Sequence, residues 1–174
     1  MTLPTRYWQD LPWPAFRSLP ANTVAVLPVA SIEQHGPHLP VAVDTTINQG
    51  VVGRTLKVIP ADLPVLVLPT QCVALSVEHL RYPGTLTTSA STLQALWTIV
   101  GLSVARAGLQ KLLILNAHGG QPQVMEIVCR ELRVRHTPER LGFMTALNLC
   151  VLAARAHGLD VLDGVHLDLE DDAG

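Results

Sequence analysis

Four carboxylate and imidazole side chains fall in one short segment around a Gly-Pro break, directly after an apolar run: Glu33, His35, His38 and Asp44. Borderline divalent ions such as zinc, manganese and iron(II) accept mixed nitrogen and oxygen ligands of this kind. Glycine and proline turn the chain, so Asp44 can return towards Glu33. The segment therefore predicts a metal site, and Asp44 is placed to bridge two ions about 3.5 to 4 Å apart, as in two-metal hydrolases.

A second polar cluster follows another apolar run and contains His118, Gly119 and Gly120. In open α/β sheets, ligands bind at the carboxyl ends of the strands, so two strand ends would bring Glu33, His35 and His118 to one edge. The glycine pair has two interpretations, a phosphate-binding loop or room for substrate and metal above His118. Because the Lys-Ser/Thr of the phosphate motif is absent, we favour the second.

The elements that must position these residues alternate between apolar runs and helical patterns, which is typical of an α/β layer fold. Near-continuous aliphatic runs predict strands covered on both faces, as in a mainly parallel sheet. We expect strands over residues 23–30, 65–69, 111–116 and 142–147, and helices over 45–59, 89–107, 122–136 and 148–157. Asp44 and Thr45 are candidates for capping the first helix. The segment through Pro20 is predicted to be an irregular arm with one short helix.

Length and composition favour one domain over residues 1–174 with a substantial apolar core, since 48% of the residues are hydrophobic. A net charge of -2 and 15% charged residues leave no electrostatic footprint for nucleic acid or an anionic membrane. No apolar run approaches the roughly 20 residues that span a bilayer, so we expect a cytoplasmic protein. The low charged fraction also suggests that other subunits cover apolar surface. Three cysteines without close pairing are expected to be reduced core residues: Cys72, Cys129 and Cys150.

Each candidate residue can also be interpreted as having an ordinary structural role instead of a chemical one. A single carboxylate after a strand is usually a cap or a solvated loop residue, and His38 can simply fix its Pro-rich loop. His79 can be a surface residue, or it can reach the site with Glu78 from the loop after the second strand. A cysteine hydrolase using Cys72 and His79 is the weakest alternative, because the sequence shows no third orienting group.

Taken in order, these motifs resemble the creatininase (creatinine amidohydrolase) family: Glu33-Gln-His35-Gly-Pro-His-Leu-Pro, Asp44, Glu78-His79 with Pro83-Gly84-Thr85, and Asn116-Ala-His118-Gly-Gly. The resemblance implies a three-layer α/β/α sandwich, one or two divalent ions and commonly a homohexamer. It also implies hydrolysis of amide bonds in small cyclic or linear substrates. By resemblance, Glu33, Asp44 and His118 bind the first metal, and His35 and Asp44 bind the second.

Two features depart from the family pattern. Creatininase itself has His-Tyr-Glu, whose Glu binds the second metal, where this chain has His118-Gly119-Gly120. The second site is therefore incomplete, and creatinine is disfavoured as the substrate. Family members also continue well beyond this length, so we expect the family's C-terminal part to be lacking. If Ala173-Gly174 aligns with the family's small pair, Asp172 stands where a proton-transferring His is expected.

The leading hypothesis is metal-dependent hydrolysis of a C–N amide bond, with metal-bound water as the nucleophile. A bound divalent ion lowers the pKa of water from about 16 to about 7, and zinc is the expected ion, with manganese or iron as alternatives. Glu78, His79 and Asp172 are candidates for protonating the leaving nitrogen. The substrate can be a cyclic amide, a formamide of a purine precursor or the C-terminal part of a short peptide. The rival is a non-catalytic metal-binding or assembly paralogue.

Overall fold

The fold is built on a three-stranded parallel sheet, seen in a computed structural model that describes residues 3–136. The strands are β1 (Val24–Val29), β2 (Val65–Val67) and β3 (Lys111–Asn116), in the order β2-β1-β3. Val24 pairs with Val65 on one side and with Lys111 on the other. Because both pairings are parallel, the carboxyl ends of the strands meet at one edge of the sheet.

Strand β1 is buried on both faces, as its continuous apolar sequence predicts. Successive side chains of a strand point to opposite faces. Ala25, Leu27 and Val29 accordingly join one core cluster, whereas Val26 joins a second cluster with Val67.

Three helices cover the two faces of the sheet: α1 (Val43–Val58), α2 (Ala90–Arg106) and α3 (Pro122–His136). Val52 of α1 packs in the cluster that contains Val26. Trp97 of α2 and Val128 of α3 pack in the cluster on the other face. The described residues thus form the expected α/β/α layers. The predicted single domain over 1–174 includes residues outside the described range and stays a prediction.

The ends of α2 and α3 follow from their sequences. The Ser89 hydroxyl accepts a hydrogen bond from the Thr92 amide, which caps α2. After its last turn comes Gly108 with φ +88°, a left-handed conformation that glycine adopts without strain. Pro122 is the first residue of α3, where the missing N–H costs little.

The beginning of α1 was predicted wrongly. The helix starts at Val43, after Ala42, which makes no side-chain cap. Asp44 and Thr45 lie inside the first turn and are not caps. Asp44 accepts the Ser31 hydroxyl instead, and the Thr45 hydroxyl donates to the Ser31 carbonyl. A carboxylate in the first turn remains favourable because it faces the positive end of the helix dipole.

Other expectations differ in smaller ways. The N-terminal arm contains two short 3-10 helices, Trp8–Asp10 and Trp13–Ser18, rather than one. Strand β2 ends at Val67, two residues earlier than predicted. The strand predicted over 142–147 and the helix over 148–157 lie outside the described residues. Within residues 3–136, no helix is both long and apolar enough to cross a bilayer.

Both described cysteines are half-buried free thiols, namely Cys72 and Cys129. Burial raises the pKa of the Cys129 thiol, and the charge of Arg133 partly offsets that effect. Cys129 therefore stays in the unreactive thiol form at neutral pH. Cys150 lies outside the described residues.

Trp97 gives a direct test of the α2 packing, because it is fully buried against the sheet. We expect Trp97→Ala to lower the free energy of unfolding by about 3–5 kcal/mol through lost contacts and a cavity. Urea denaturation measures this change. The matched control is Ile99→Ala on the same helix, whose side chain is exposed, with an expected change within about 0.5 kcal/mol. Equal effects of the two substitutions would contradict this packing.

Candidate metal centre

Asp44 occupies the middle of the site, in the first turn of α1 and only 7% exposed. Its Oδ2 accepts the Ser31 hydroxyl at 2.6 Å. One turn later, the Asn48 amide donates to the carbonyls of Val29 and Leu115, at 2.9 Å each. Asn48 therefore ties the start of α1 to the ends of two neighbouring strands and sets the position of the Asp44 carboxylate.

The chain between β1 and α1 folds back as its Gly-Pro content predicts. The Glu33 amide donates to the Val41 carbonyl, which closes the loop. Gly36 has φ +82° at the turn, a conformation that favours glycine. Glu33 and His35 thereby lie in a loop beyond the end of β1, next to Asp44.

Each oxygen of Asp44 faces a different histidine. Oδ1 lies 3.0 Å from His35 Nε2, and Oδ2 lies 3.1 Å from His118 Nδ1. Glu33 Oε1 lies 3.2 Å from the same His118 nitrogen. The structure thus brings together the four side chains predicted as metal ligands.

Backbone carbonyls fix the tautomers of both histidines. His118 Nε2 lies 2.7 Å from the Leu75 carbonyl, and His35 Nδ1 lies 3.1 Å from the Glu33 carbonyl. A carbonyl only accepts, so these nitrogens carry the protons. The opposite nitrogens, His118 Nδ1 and His35 Nε2, present lone pairs to carboxylate oxygens about 3 Å away.

This donor set fits a divalent cation. A lone pair and a carboxylate oxygen repel unless a positive charge lies between them, and at His118 two carboxylates approach one nitrogen. A second proton on the ring can bond to only one of them well. Glu33 Oε2 is also buried without a hydrogen-bond partner within residues 3–136. Carbonyl-oriented histidines with carboxylates are the usual arrangement around bound metals.

Two groups of three side chains place one ligand atom each within 4.8 Å of one another. One group is Glu33, His35 and Asp44, and the other is Glu33, Glu78 and His118. Two adjacent groups that share Glu33 are compatible with one or two ions. The assignment of each residue to a first or second metal stays a prediction.

Two of the three residues predicted for proton transfer, Glu78 and His79, fall within the described residues. Glu78 is exposed, with Oε1 3.8 Å from His118 Nε2. His79 is partly buried, with Nε2 3.9 Å from Glu33 Oε1. Both therefore lie at the site. Asp172 is outside the described residues, and the candidate at that position stays a prediction.

Two alternatives gain no support from the structure. His38 is exposed on its loop, in line with a structural role. The Cys72 thiol donates to the Thr70 carbonyl, whereas His79 Nδ1 pairs with the Gln34 amide. Cys72 and His79 are thus engaged with different partners, and no contact between them is seen in the described part of the chain.

Sequence reasoning missed the hydrogen bonds by which three polar side chains support the ligands: those of Asn48, Asn116 and Gln121. Asn48 lies four positions after Asp44, so the helical period was a signal that it shares the Asp44 face. Asn116 accepts the His118 amide and donates to the His118 carbonyl, and Gln121 donates to Asn116. These bonds hold the loop that carries His118.

Comparison with known proteins places these features in a family. The family model described as creatinine amidohydrolase (creatininase) matches residues 9–166. The chain belongs to the creatininase family. The fold agrees with solved structures of the family: the chain superposes on a mutant creatininase of the Zn-Zn type with a TM-score of 0.64 and 26% identity, covering 76% of this chain and 54% of that one. A structure described as creatininase Mn gives a TM-score of 0.63, 25% identity and coverages of 75% and 54%.

The curated relatives that the chain matches include peptidases. The mycofactocin precursor peptide peptidase of Mycolicibacterium smegmatis is 33% identical over 112 residues, which is 63% of this chain and 45% of that protein. A (3S)-malyl-CoA thioesterase of Cereibacter sphaeroides is 49% identical over 47 residues, 27% of this chain and 16% of that protein. The chain thus spans less than half the length of either relative.

Gly120 stands where creatininase has Glu by resemblance, and this structure leaves no room for a side chain at the position. A Cβ atom added to Gly120 would lie 2.6 Å from His118 Nε2 and 2.9 Å from the Leu75 carbonyl oxygen, and would overlap Glu78 Oε1. A Cβ added to Gly119 would meet nothing within 4 Å. The hydrogen bond that orients His118 therefore requires glycine at position 120 but not at position 119.

The glycine pair supplies a matched test of this requirement. We expect Gly120→Ala to weaken zinc binding about 10- to 100-fold, the usual cost of disturbing a group that orients a ligand. Gly119→Ala is the control and should bind zinc like the wild type. Competition with a chromophoric chelator measures both affinities. If the two variants bind zinc equally well, Gly120 does not protect the orientation of His118.

Proposed function

We propose that this protein is a metal-dependent hydrolase that cleaves a C–N amide bond. The observation that carries the proposal is the pair of lone-pair nitrogens, His35 Nε2 and His118 Nδ1, each facing its own oxygen of Asp44. Membership in a family of amidohydrolases supports the reaction class. Relatives described as peptide peptidases support it further, since a peptide bond is an amide.

Glu33, Asp44 and His118 would hold a first divalent cation, and His35 with Asp44 would contribute to a second. When bound, such a cation polarises the amide carbonyl and lowers the pKa of water towards about 7. Zinc suits these nitrogen and oxygen donors best, and manganese or iron accept the same set. Zinc and manganese forms of creatininase support this choice.

Glu78 is the group we propose for proton transfer. Its side chain is 44% exposed, yet Oε1 lies 3.8 Å from His118 Nε2. An exposed carboxylate at the edge of the site can take a proton from the attacking water and give it to the departing nitrogen. Glu33 and Asp44 are buried, which favours a ligand role over proton transfer for these two carboxylates.

A short linear peptide is the substrate class we favour over a cyclic amide. Relatives described as peptide peptidases point to this class. Apolar side chains also stand exposed around the site, on the loops that carry its residues: Leu39, Val77, Leu80 and Leu86. Such side chains would contact apolar residues of a bound peptide.

The remaining parts of the proposal concern the protein as a whole. We propose a cytoplasmic homo-oligomer that binds neither nucleic acid nor membranes. Exposed aliphatic side chains along one side of α1 support self-association, because Ile47, Val51 and Val58 are each about half or more exposed.

Replacement of His118 tests the proposed function. His118→Ala removes the nitrogen that two carboxylates face, so the variant should lose bound metal and amide hydrolysis together. His38→Ala is the matched control, since His38 is exposed, and should keep both. Elemental analysis and a panel of short peptides and small amides give the two readouts, with circular dichroism to verify folding.

Either of two results would count against the hydrolase. Full hydrolysis by metal-free His118→Ala would exclude a metal-dependent reaction at this site. Wild-type protein that binds metal but hydrolyses nothing on the panel would favour the rival, a non-catalytic metal-binding or assembly paralogue.

A further inference from the structure

Gln34 lies between two proposed ligands in sequence, and its side chain contacts His79. The Gln34 Nε2 atom is 3.0 Å from His79 Nδ1. His79 itself ends the short 3-10 helix Val77–His79, in the loop between β2 and α2. This contact therefore joins the first loop of the site to the second.

The orientation of the Gln34 amide follows from its other end. The Gly36 backbone N–H, which only donates, lies 2.9 Å from Gln34 Oε1. The oxygen must therefore face Gly36, and the NH₂ group must face His79. An NH₂ group donates, so His79 Nδ1 accepts and carries no proton. The proton of the neutral His79 ring is then on Nε2.

The Nε2 atom of His79 lies at the edge of the metal centre. Nε2 lies 3.9 Å from Glu33 Oε1, and that oxygen lies 3.2 Å from His118 Nδ1. The Tyr82 ring meets His79 edge-on, with the ring centroids 6.0 Å apart. Gln34 and Tyr82 thus hold the imidazole from two directions while its N–H edge faces the site.

We propose that Gln34 is a positioning residue that keeps His79 as the Nε2–H tautomer, and that His79 donates this hydrogen bond to the carbonyl oxygen of the scissile amide. This inference rests on the proposed function. The carbonyl oxygen gains negative charge during attack, and a preorganised donor stabilises that charge more than it stabilises the bound substrate. A protonated Nε2 also has no lone pair, so His79 is not a metal ligand.

Gln34→Leu tests the positioning role, because leucine fills similar space without an amide. Gln110→Leu is the matched control on an exposed loop position. In zinc-loaded protein, we expect kcat for a short peptide to fall about 10- to 100-fold in Gln34→Leu with KM nearly unchanged, as for a donor that acts in the transition state. Zinc per chain should equal that of the wild type, and Gln110→Leu should match the wild type throughout.

Nitrogen-15 NMR of the histidine rings gives a readout that does not depend on activity. In zinc-loaded wild type, His79 should show a protonated Nε2 and an unprotonated Nδ1, and Gln34→Leu should mix the two tautomers. His79→Phe assigns the signals and should keep its zinc. Loss of zinc in His79→Phe, or an unprotonated Nε2 in the wild type, would overturn the inference.

The outcomes also separate this inference from the proposed function. Normal peptide hydrolysis with the opposite His79 tautomer, or with an unchanged kcat in Gln34→Leu, overturns only the inference. No hydrolysis of any amide by the wild type overturns the proposed function, and with it the carbonyl-donor role, even if the tautomer is as expected.

Discussion

The Asp44 carboxylate is buried in the first turn of α1, with one oxygen against His35 and the other against His118. A buried negative charge is costly unless it is paired and hydrogen-bonded. The Ser31 hydroxyl and the positive end of the α1 dipole meet part of that cost. A cation bound between the carboxylate and the lone pairs of the two imidazoles would meet the rest. Asn48 then anchors the helix to the ends of β1 and β3, so the sheet itself holds the charge in place.

A parallel sheet makes this concentration of charge possible. The ends of β1 and β3 lie side by side, since Val29 pairs with Asn116, and each strand leads into a loop that carries ligands. Both faces of the sheet are occupied by helices, so the open strand ends are the natural place for polar groups. Backbone carbonyls released beyond the strands, such as that of Leu75, then orient the imidazoles. The edge of the sheet at which the strands end therefore also positions the residues of the site.

The helices were predicted well where the sequence contains a clear boundary residue. Ser89, Gly108 and Pro122 mark helix boundaries, and the structure has α2 and α3 where those residues place them. The start of α1 was misjudged, because Asp at a helix start is typical of a cap. Its real partners are Ser31, thirteen residues away, and the distant His118. Propensity describes neighbours along the chain and carries no information about such contacts.

By itself, the sequence determined which side chains can bind a metal and that these side chains follow the ends of strands. Both can be inferred from residue type and from the hydrophobic pattern of neighbouring positions in the chain. The gathering of Glu33, His35, Asp44 and His118 could be expected from that pattern. Only the tertiary structure decided which nitrogen of each histidine faces the centre, since this depends on hydrogen bonds from residues remote in the chain: Leu75 for His118 and Gln34 for His79. The need for glycine at position 120 rather than 119 was likewise decided by atoms of other loops, whose approach within 3 Å no local pattern encodes.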